Sequence, residues 1–142
     1  MRSFAYILYI LIAALIVSAN SSFALPNCQG DSGNVAEWTD CKGTLPISGG
    51  NKYVGEFQNG EFSGQGTYIF KNGTKYVGTF QNNNYQGQAT VYYPDGHKFV
   101  GSFKNGKKNG LGTDVYVDGR IEKKSWDNGV ENPFSLNQLS TT

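Results

Sequence analysis

The amino-acid sequence predicts an all-β fold, a single-layer antiparallel meander of tandem β-hairpins. The first observation is a motif that recurs every 23 residues, and the second is a series of Asn-Gly and Asp-Gly pairs between its copies. The third is composition, because 19 of 142 residues are glycine and 14% are aromatic, whereas only 16% are charged. Glycine suits tight turns and aromatic residues favour strands. So many aromatic residues also exclude an intrinsically disordered chain.

An internal repeat is the strongest feature of the sequence. An aromatic-Val-Gly triplet begins at Tyr53 and recurs at Tyr76 and Phe99. Other positions recur at the same interval: Phe57, Phe80, Phe103 and Trp126; Gly64, Gly87 and Gly110; Gly66, Ala89 and Gly112; Phe70, Tyr93 and Tyr116. So many coincident columns indicate a repeat protein, in which each unit packs against its neighbours.

Turn-forming pairs divide each unit in two. They are Asn59-Gly60, Asn72-Gly73, Asp95-Gly96, Asn105-Gly106, Asp118-Gly119 and Asn128-Gly129, with Asn83-Asn84 in the remaining slot. Asn, Asp and Gly tolerate the positive φ angles that tight hairpins require. The turns follow one another at alternating intervals of 13 and 10 residues. This spacing predicts that every unit is one hairpin of a continuous meander.

Because side chains alternate between the two faces of a strand, the repeat also predicts which residues share a face. The aromatic face is expected to hold Tyr53, Gly55 and Phe57 from the first strand of a unit and Gly64, Gly66, Tyr68 and Phe70 from the second. The opposite face is mixed, with Val54 beside Glu56 and Thr67. The prediction is a thin sheet in which glycines leave room for neighbouring rings.

The repeat resembles the MORN repeat, the membrane occupation and recognition nexus, whose motif reads YxGxFxNG…GxGxY. Residues 53–60 and 64–68 match the two halves of that motif. The resemblance gives units at 53–75, 76–98 and 99–121, a cap with a partial repeat at 25–52 and another partial repeat at 122–130. The departures from the pattern are Asn83, Ala89, Lys108 and Asp114. Asp114 replaces an aromatic residue, so the face of the third unit is expected to be less apolar there.

Residues 1–24 have the three parts of a secretory signal peptide. A positive charge is followed by an apolar run over residues 4–17, and Ser22-Phe23-Ala24 forms a cleavage site. A permanent membrane anchor is the alternative, but the run is shorter than the roughly 20 residues that a spanning helix needs. A second cleavage site lies after Ala19. We therefore expect an exported protein, periplasmic or secreted.

Removal of the signal peptide changes the charge of the chain. Arg2 is lost from the 12 basic residues, which leaves 11 against 11 acidic residues. The mature chain then has no formal net charge and no long-range attraction to phosphate backbones. We therefore expect no nucleic-acid partner.

Cys28 and Cys41 are the only cysteines, and both follow the signal segment closely. In an exported chain this pair predicts one disulfide, which would hold the N-terminal cap. Two free thiols or a metal pair are the alternatives. The metal pair is disfavoured because the single histidine, His97, is distant in the sequence and no second pair of ligands is present.

No residue pattern points to catalysis. His97 follows a turn, and Thr74 and Arg120 take its place in the sister units, which indicates a variable, solvent-exposed position. Asp95 and Asp118 occupy turn positions that the neighbouring unit fills with asparagine, so backbone conformation explains them. The sequence therefore predicts that the protein is not an enzyme and has no cofactor, metal site or small-molecule substrate.

We expect the protein to act by binding, with the aromatic face as the candidate surface. Its residues are Tyr53, Phe57, Tyr68, Phe70, Tyr76, Phe80, Tyr93, Phe99, Phe103, Tyr116 and Trp126. The MORN resemblance implies scaffolding, so the expected partner is another protein or a second copy of the chain, engaged through the aromatic face or a sheet edge.

The resemblance also implies an alternative, a peripheral phospholipid-binding module at a membrane surface, and a third hypothesis is an accessory to an enzyme. One concentration of lysines supplies candidate contacts to an anionic ligand: Lys104, Lys107, Lys108, Lys123 and Lys124. Residues 131–142 leave the repeat, because Pro133 stops the last strand. Phe134, Leu136 and Leu139 would cover that strand, or the tail would be frayed.

Overall fold

The computed structural model describes residues 24–30 and 32–132 and confirms the all-β fold. Nine strands form one antiparallel sheet, in which each strand pairs with its neighbours in sequence. They are β1 (Cys41–Ile47), β2 (Asn51–Gln58), β3 (Glu61–Ile69), β4 (Lys75–Gln81), β5 (Asn84–Tyr92), β6 (Lys98–Lys104), β7 (Lys107–Val115), β8 (Ile121–Asp127) and β9 (Val130–Glu131). Short 3₁₀ segments, Ser32–Glu37 and Ser48–Gly50, precede β1 and β2. The predicted signal peptide, apart from Ala24, and the tail beyond residue 132 lie outside the described residues.

Two-residue turns close the hairpins within the units. Asn59 and Gly60 between β2 and β3 have φ angles of 51° and 77°, as in the type I′ turn that matches the twist of the strands. In the second unit the turn residues are Asn82, with a φ of 48°, and Asn83, with a φ of 65°. The predicted pair, Asn83-Asn84, is therefore wrong by one position, and Asn84 instead begins β5.

Longer turns join successive units. Between β3 and β4 the Gly73 N–H donates to the Phe70 carbonyl at 2.9 Å, and Gly73 has a φ of 89°. The Asn72 side-chain oxygen accepts from the Thr74 N–H at 3.0 Å. The aspartates at the same place in the next two units make the equivalent bond. Because either side chain supplies this oxygen, Asn and Asp interchange at these turns.

A β-bulge interrupts the pairing inside each unit, which regular alternation does not predict. The register shifts after Gly55, Gly78 and Gly101, opposite the first-glycine column. Gly64 of that column has a φ of 55°, and a Cβ on it would meet the Glu56 carboxylate. Glycine in this column therefore allows the backbone conformation that the bulge requires. The prediction that Gly64 lines the aromatic face is wrong.

The core lies on one face of the sheet and consists mainly of aromatic rings. Tyr53, Tyr76 and Phe99 expose no more than 1% of their surface. Each lies edge-on to a phenylalanine four positions later, as Tyr53 does to Phe57 with 5.2 Å between ring centroids, an arrangement that aromatic pairs favour. Val54 on the opposite face is exposed. The architecture is thus one layer with one aromatic face, as predicted.

A disulfide between Cys28 and Cys41 joins the N-terminal segment to β1, as predicted. The segment carries Trp38, whose buried ring packs edge-on against Phe57 at 4.9 Å between centroids. The same ring covers Gly43, where a Cβ would lie 2.6 Å from it. Gly43 stands one repeat length before Gly66 and its column. Trp38 therefore fills, at this end of the sheet, the place that a repeat aromatic fills elsewhere.

Each hairpin tip is bonded to the preceding unit. The backbone N–H groups of the tips donate to carbonyls at 2.8–3.2 Å, in the pairs Gly60 to Trp38, Asn83 to Phe62, Gly106 to Tyr85 and Gly129 to Lys108. These bonds lie outside the regular strand ladders. Successive units are therefore joined by the strands, by ring contacts and by the tips, as in a stack that each unit stabilises through its neighbours.

Candidate interaction surfaces

Most of the predicted aromatic surface is core. Seven of the predicted rings are buried, namely Tyr53, Phe57, Tyr76, Phe80, Phe99, Phe103 and Trp126. Four remain partly exposed, namely Tyr68, Phe70, Tyr93 and Tyr116. A partner cannot reach the buried rings of the folded protein, so the accessible surface is smaller than predicted.

The second-glycine column makes room for the leading aromatic residue of its unit. A Cβ on Gly66 would lie 2.5 Å from the Tyr53 hydroxyl and 2.6 Å from its ring. That hydroxyl donates to the Glu56 carbonyl at 2.9 Å and to the Ser63 carbonyl at 3.3 Å, both at the bulge. Burial, with a smaller contribution from the Glu56 carboxylate, raises the pKa of the Tyr53 phenol. Burial likewise raises the pKa of Tyr76 to about 12.

Another column of the repeat forms an outer layer over the core. The faces assigned from the sequence do not include this column. Phe62 and Tyr85 stack on the leading tyrosines of their units, with 3.9 and 4.0 Å between ring centroids. In the third unit the Lys108 ammonium lies 3.7 Å from the centroid of the Phe99 ring, a cation–π contact. These positions are 23 residues apart in the sequence. The column is difficult to recognise as aromatic there, because its third member is Lys108.

These outer rings wall a groove of about 500 Å³ on the aromatic face. Its apolar lining, which we call the aromatic groove, consists of Leu45, Ile47, Phe62, Tyr68, Phe70, Phe80 and Tyr85. Asn83 and Asn84 contribute polar side chains to the lining, which contains no charged residue. The groove runs from β1 across the first two units, where the aromatic columns are complete.

The C-terminal end of the same face is ionic. Asp114 exposes 7% of its surface, and its carboxylate lies 3.7 Å from the Lys124 ammonium. Lys124 also lies 3.5 Å from Glu122 and from Glu131. Burial opposes the charge of Lys124, but the surrounding carboxylates outweigh it and raise the pKa, whereas burial lowers the pKa of Lys108. The face of the third unit is thus less apolar, as predicted from Asp114.

The candidate lysines do not form one patch. Lys108 and Lys124 lie on the aromatic face, against rings and carboxylates. Lys104 and Lys107 face each other beside the β6–β7 turn. Lys123 pairs with Thr113 on the opposite face. Because the concentration seen in the sequence is divided between both faces and a turn, it is not a single site for an anionic ligand.

His97 is not the free solvent position that the repeat predicts. Its ring stacks on Tyr93 with 4.1 Å between centroids and lies 5.7 Å from Tyr116. Its Nδ1 lies 2.6 Å from the Asp95 carboxylate, and this hydrogen bond lowers the pKa of Asp95. Arg120, at the same repeat position, covers the Tyr116 ring at 4.1 Å. The column therefore supports the aromatic residues of the turns.

Within 24–30 and 32–132, no three His, Cys, Asp or Glu side chains are grouped so as to hold a metal ion. The same part of the chain has no helix of the length and apolar character needed to cross a membrane.

Comparison with known protein families identifies a repeat family. The family model of the MORN repeat matches residues 53–75, 76–98 and 99–119. A comparison with curated proteins finds no match. MORN repeats are in general protein-interaction or membrane-binding modules. Residues 53–119 of this chain thus match the MORN repeat at three consecutive positions.

Proposed function

We propose that the protein is an exported, non-catalytic interaction module that binds a partner protein through the aromatic groove. The observation that carries the proposal is a set of half-exposed rings held by buried ones. Phe62 stacks on Tyr53, and Tyr85 stacks on Tyr76. The supporting rings, Tyr53 and Tyr76, are buried. Rings fixed in this way lose little conformational entropy when a partner covers them.

The lining of the groove favours an apolar segment of a partner. No charged residue lines it, so an acidic or basic segment would lose hydration without gaining an ion pair. At the rim, the Asn83 side chain accepts from the Phe62 N–H at 2.8 Å and lies 3.3 Å from Glu61. These bonds fix the rim beside the rings, which makes the groove a preformed site.

Export is the second part of the proposal. It is supported by the signal sequence in residues 1–24 and by the Cys28–Cys41 bond, which suits the oxidising periplasm or medium. The intact mass of protein recovered from that compartment should correspond to a chain that begins near Leu25, with both cysteines oxidised. A full-length chain would contradict export by cleavage, and two thiols that react with an alkylating agent would contradict the disulfide in the exported protein.

Pull-down from an envelope extract tests the groove. The groove variant combines Leu45→Gln with Phe70→Ser, and the control combines Val54→Gln with Val77→Ser on the opposite face. All four side chains are at least partly exposed, so we expect both variants to remain folded, which thermal melts check. The native protein and the control should retain the same partner, and the groove variant should lose it. Retention by the groove variant, or equal loss in both variants, would contradict the proposal.

The identity of the captured protein separates the related hypotheses. Capture of untagged copies of this chain, lost in the groove variant, would make the module a self-associating scaffold. An enzyme among the captured proteins would make it an accessory to catalysis. Either result retains the groove as the binding site and names its occupant.

A peripheral membrane-binding role is the second candidate. The strands and turns from β7 to β9 carry four exposed apolar side chains, Leu111, Val117, Ile121 and Val130, which expose 58–75% of their surface. Exposed apolar side chains are the groups through which a protein inserts into a membrane surface. This role predicts flotation of the protein with phospholipid vesicles and loss of flotation in Leu111→Gln combined with Val130→Gln. Flotation that this double variant leaves unchanged would contradict it.

A further inference from the structure

The sheet face opposite the aromatic core, which we call the open face, carries a row of lysines. Residues that pair directly across antiparallel strands lie on the same face. From β2 to β7 the register places six residues side by side, which we call the lysine row: Lys52, Ile69, Lys75, Tyr92, Lys98 and Val115. The row crosses all three MORN repeats.

The repeat sets the spacing of these lysines. Lys52, Lys75 and Lys98 each stand one residue before the leading aromatic of a unit, so they lie on alternate strands, β2, β4 and β6. Neighbouring strands are about 4.8 Å apart, which separates successive lysines by about 9–10 Å. All three side chains are exposed.

The charge of the row is not neutralised. None of the ion pairs within residues 24–30 and 32–132 includes Lys52, Lys75 or Lys98. The aspartates of the adjacent turns are engaged by His97 and Arg120. Although the chain has no formal net charge after signal removal, these three lysines give the open face a row of positive charge.

The residues beside the row are uncharged and suited to sugar. The next row on the open face alternates hydroxyls with valines, in the order Thr44, Val54, Thr67, Val77, Thr90, Val100 and Thr113. Tyr92, with 47% of its surface exposed, lies between Lys75 and Lys98. An exposed tyrosine offers an apolar ring for contact and a hydroxyl for hydrogen bonds.

We propose that the lysine row binds a linear acidic polysaccharide, a polymer of sugars that carry carboxylates. The ammonium groups act as point charges for the carboxylates, the threonine hydroxyls bond to sugar hydroxyls, and the Tyr92 ring stacks on a sugar face. In an extended polymer, alternate sugars face the same side. Their carboxylates therefore repeat along one side of the polymer, as the lysines repeat along the sheet.

A flat membrane fits the row less well than a polymer does. Sheets twist by roughly 20–25° per strand, so over the four strand steps from Lys52 to Lys98 the side-chain directions diverge by about 80–100°. A plane then meets only one part of the row, whereas a linear polymer can follow the twist.

Nucleic acid fits the row less well for two reasons. Each nucleic-acid strand carries a phosphate about every 3.4 Å, much closer than the spacing of the lysines. Single strands are also bound by stacking successive bases on several aromatic rings, and the row contains one ring, that of Tyr92.

Affinity electrophoresis in native gels that contain polygalacturonate tests the proposal on the protein recovered from expressing cells. The row variant is Lys52→Gln/Lys75→Gln/Lys98→Gln. The control is Lys104→Gln/Lys107→Gln, which removes charge from two exposed lysines at the β6–β7 hairpin tip that also have no ion pair. Gels with the neutral, methyl-esterified polymer show whether the carboxylates are needed.

We expect polygalacturonate to retard the native protein and the control, and added salt to weaken the effect. The apparent affinity of the row variant should fall about tenfold or more, as when several charge contacts are lost. The neutral polymer should retard none of the proteins. Tyr92→Ala should weaken binding without changing its salt dependence, which keeps the test decisive should the triple variant prove unstable.

Three outcomes would overturn the proposal. The first is no retardation of the native protein, and the second is an equal loss in the row variant and the control, which would indicate attraction to overall charge. The third is row-dependent binding to anionic vesicles or single-stranded nucleic acid without binding to polygalacturonate. The groove variants test the opposite face, so failure of polymer binding and failure of partner binding are distinguishable.

Discussion

At the scale of single residues, glycine positions determine where the rings lie. Gly66 allows the Tyr53 ring to lie flat over the neighbouring strand, since a Cβ on Gly66 would lie 2.5 Å from the Tyr53 hydroxyl. The sequence predicts that glycines leave room for neighbouring rings, and the ring that lies over Gly66 is that of Tyr53.

Gly66→Val should therefore destabilise the fold, although valine favours strands. The branched side chain must displace Tyr53, and overpacking of this kind costs about 1–3 kcal/mol. Gln65→Val is the control, because Gln65 is exposed and makes only an exposed hydrogen bond to Thr79. Thermal melts compare the two variants. Equal melting temperatures, or a more stable Gly66→Val, would contradict the placement of the ring.

The hydroxyl of Tyr53 makes a separate contribution at the bulge. Tyr53→Phe leaves the carbonyls of Glu56 and Ser63 without this donor, which should reduce the free energy of unfolding by about 1–2 kcal/mol. Tyr92→Phe, at a half-exposed position, should change it little. Urea denaturation of both variants measures the difference, and equal effects would argue against a role for the buried hydroxyl.

At the scale of elements, the hairpin tip of the second unit departs from its sister tips. Gly60 and Gly106 occupy the position of Asn83 in the neighbouring units. Asn83 adopts a φ of 65° there, and its side chain bonds to the Phe62 N–H. The asparagine thus accepts a left-handed backbone and adds a bond to the preceding unit.

Asn83→Ala should consequently be more destabilising than Asn83→Gly. Both lose the side-chain bond, but alanine also places a Cβ in the left-handed region, at a cost of roughly 1–2 kcal/mol. Chemical denaturation of the two variants gives the difference directly. Equal stability of the two variants would show that the positive φ at position 83 does not determine which residue the turn accepts.

The strands and turns were predictable because their signals are local. Asn-Gly and Asp-Gly pairs specify positive φ wherever they occur, and the 23-residue columns fix the order of the strands. The bulges were not predictable from alternation, since Gly64 and Gly66 look equivalent in the sequence although only Gly66 lies beneath a ring. Alternation likewise assigns rings to a face without showing that most of them bury one another.

The candidate surfaces depend on register, which a linear sequence shows only in part. Lys108 and Lys123 appear close to the other lysines in sequence but lie on opposite faces. Lys52, Lys75 and Lys98 are far apart in sequence, and strand pairing aligns them. The net charge of the chain does not reveal the lysine row, because the net charge sums the residues of both faces.

At the scale of the whole molecule, the sheet is a one-dimensional stack. Each strand contacts its sequence neighbours, so stability is the sum of unit and interface contributions. Trp38 and the disulfide close the N-terminal end, and the ionic residues around Asp114 lie at the other end. Because Tyr53 and Tyr76, which lie between these ends, are buried, we expect the stability of the stack to depend on pH in the alkaline range.

Stability should fall above pH 10. The pKa of Tyr76 is raised to about 12, and the pKa values of Tyr53 and Tyr85 are also raised. A folded-state pKa above the unfolded value gives stability that is complete below pH about 10 and is lost as the pH rises through the folded pKa. Between pH 8 and 11 we expect a loss of about 1 kcal/mol for each such tyrosine.

Urea denaturation at the two pH values measures this loss, and Tyr76→Phe should reduce it. An unchanged free energy of unfolding at pH 11 would mean that the phenols ionise as freely in the folded protein as in the unfolded chain.

Photo-crosslinking in expressing cells tests most directly whether the aromatic groove is the binding surface. Benzoylphenylalanine replaces Phe70 in the groove or, as the matched control, Val77 on the open face. Irradiation should give a discrete adduct from position 70, to a partner protein or a second copy of the chain, and none of that size from position 77. No adduct from position 70, or equal yields from both positions, would contradict the assignment of the groove as the binding site.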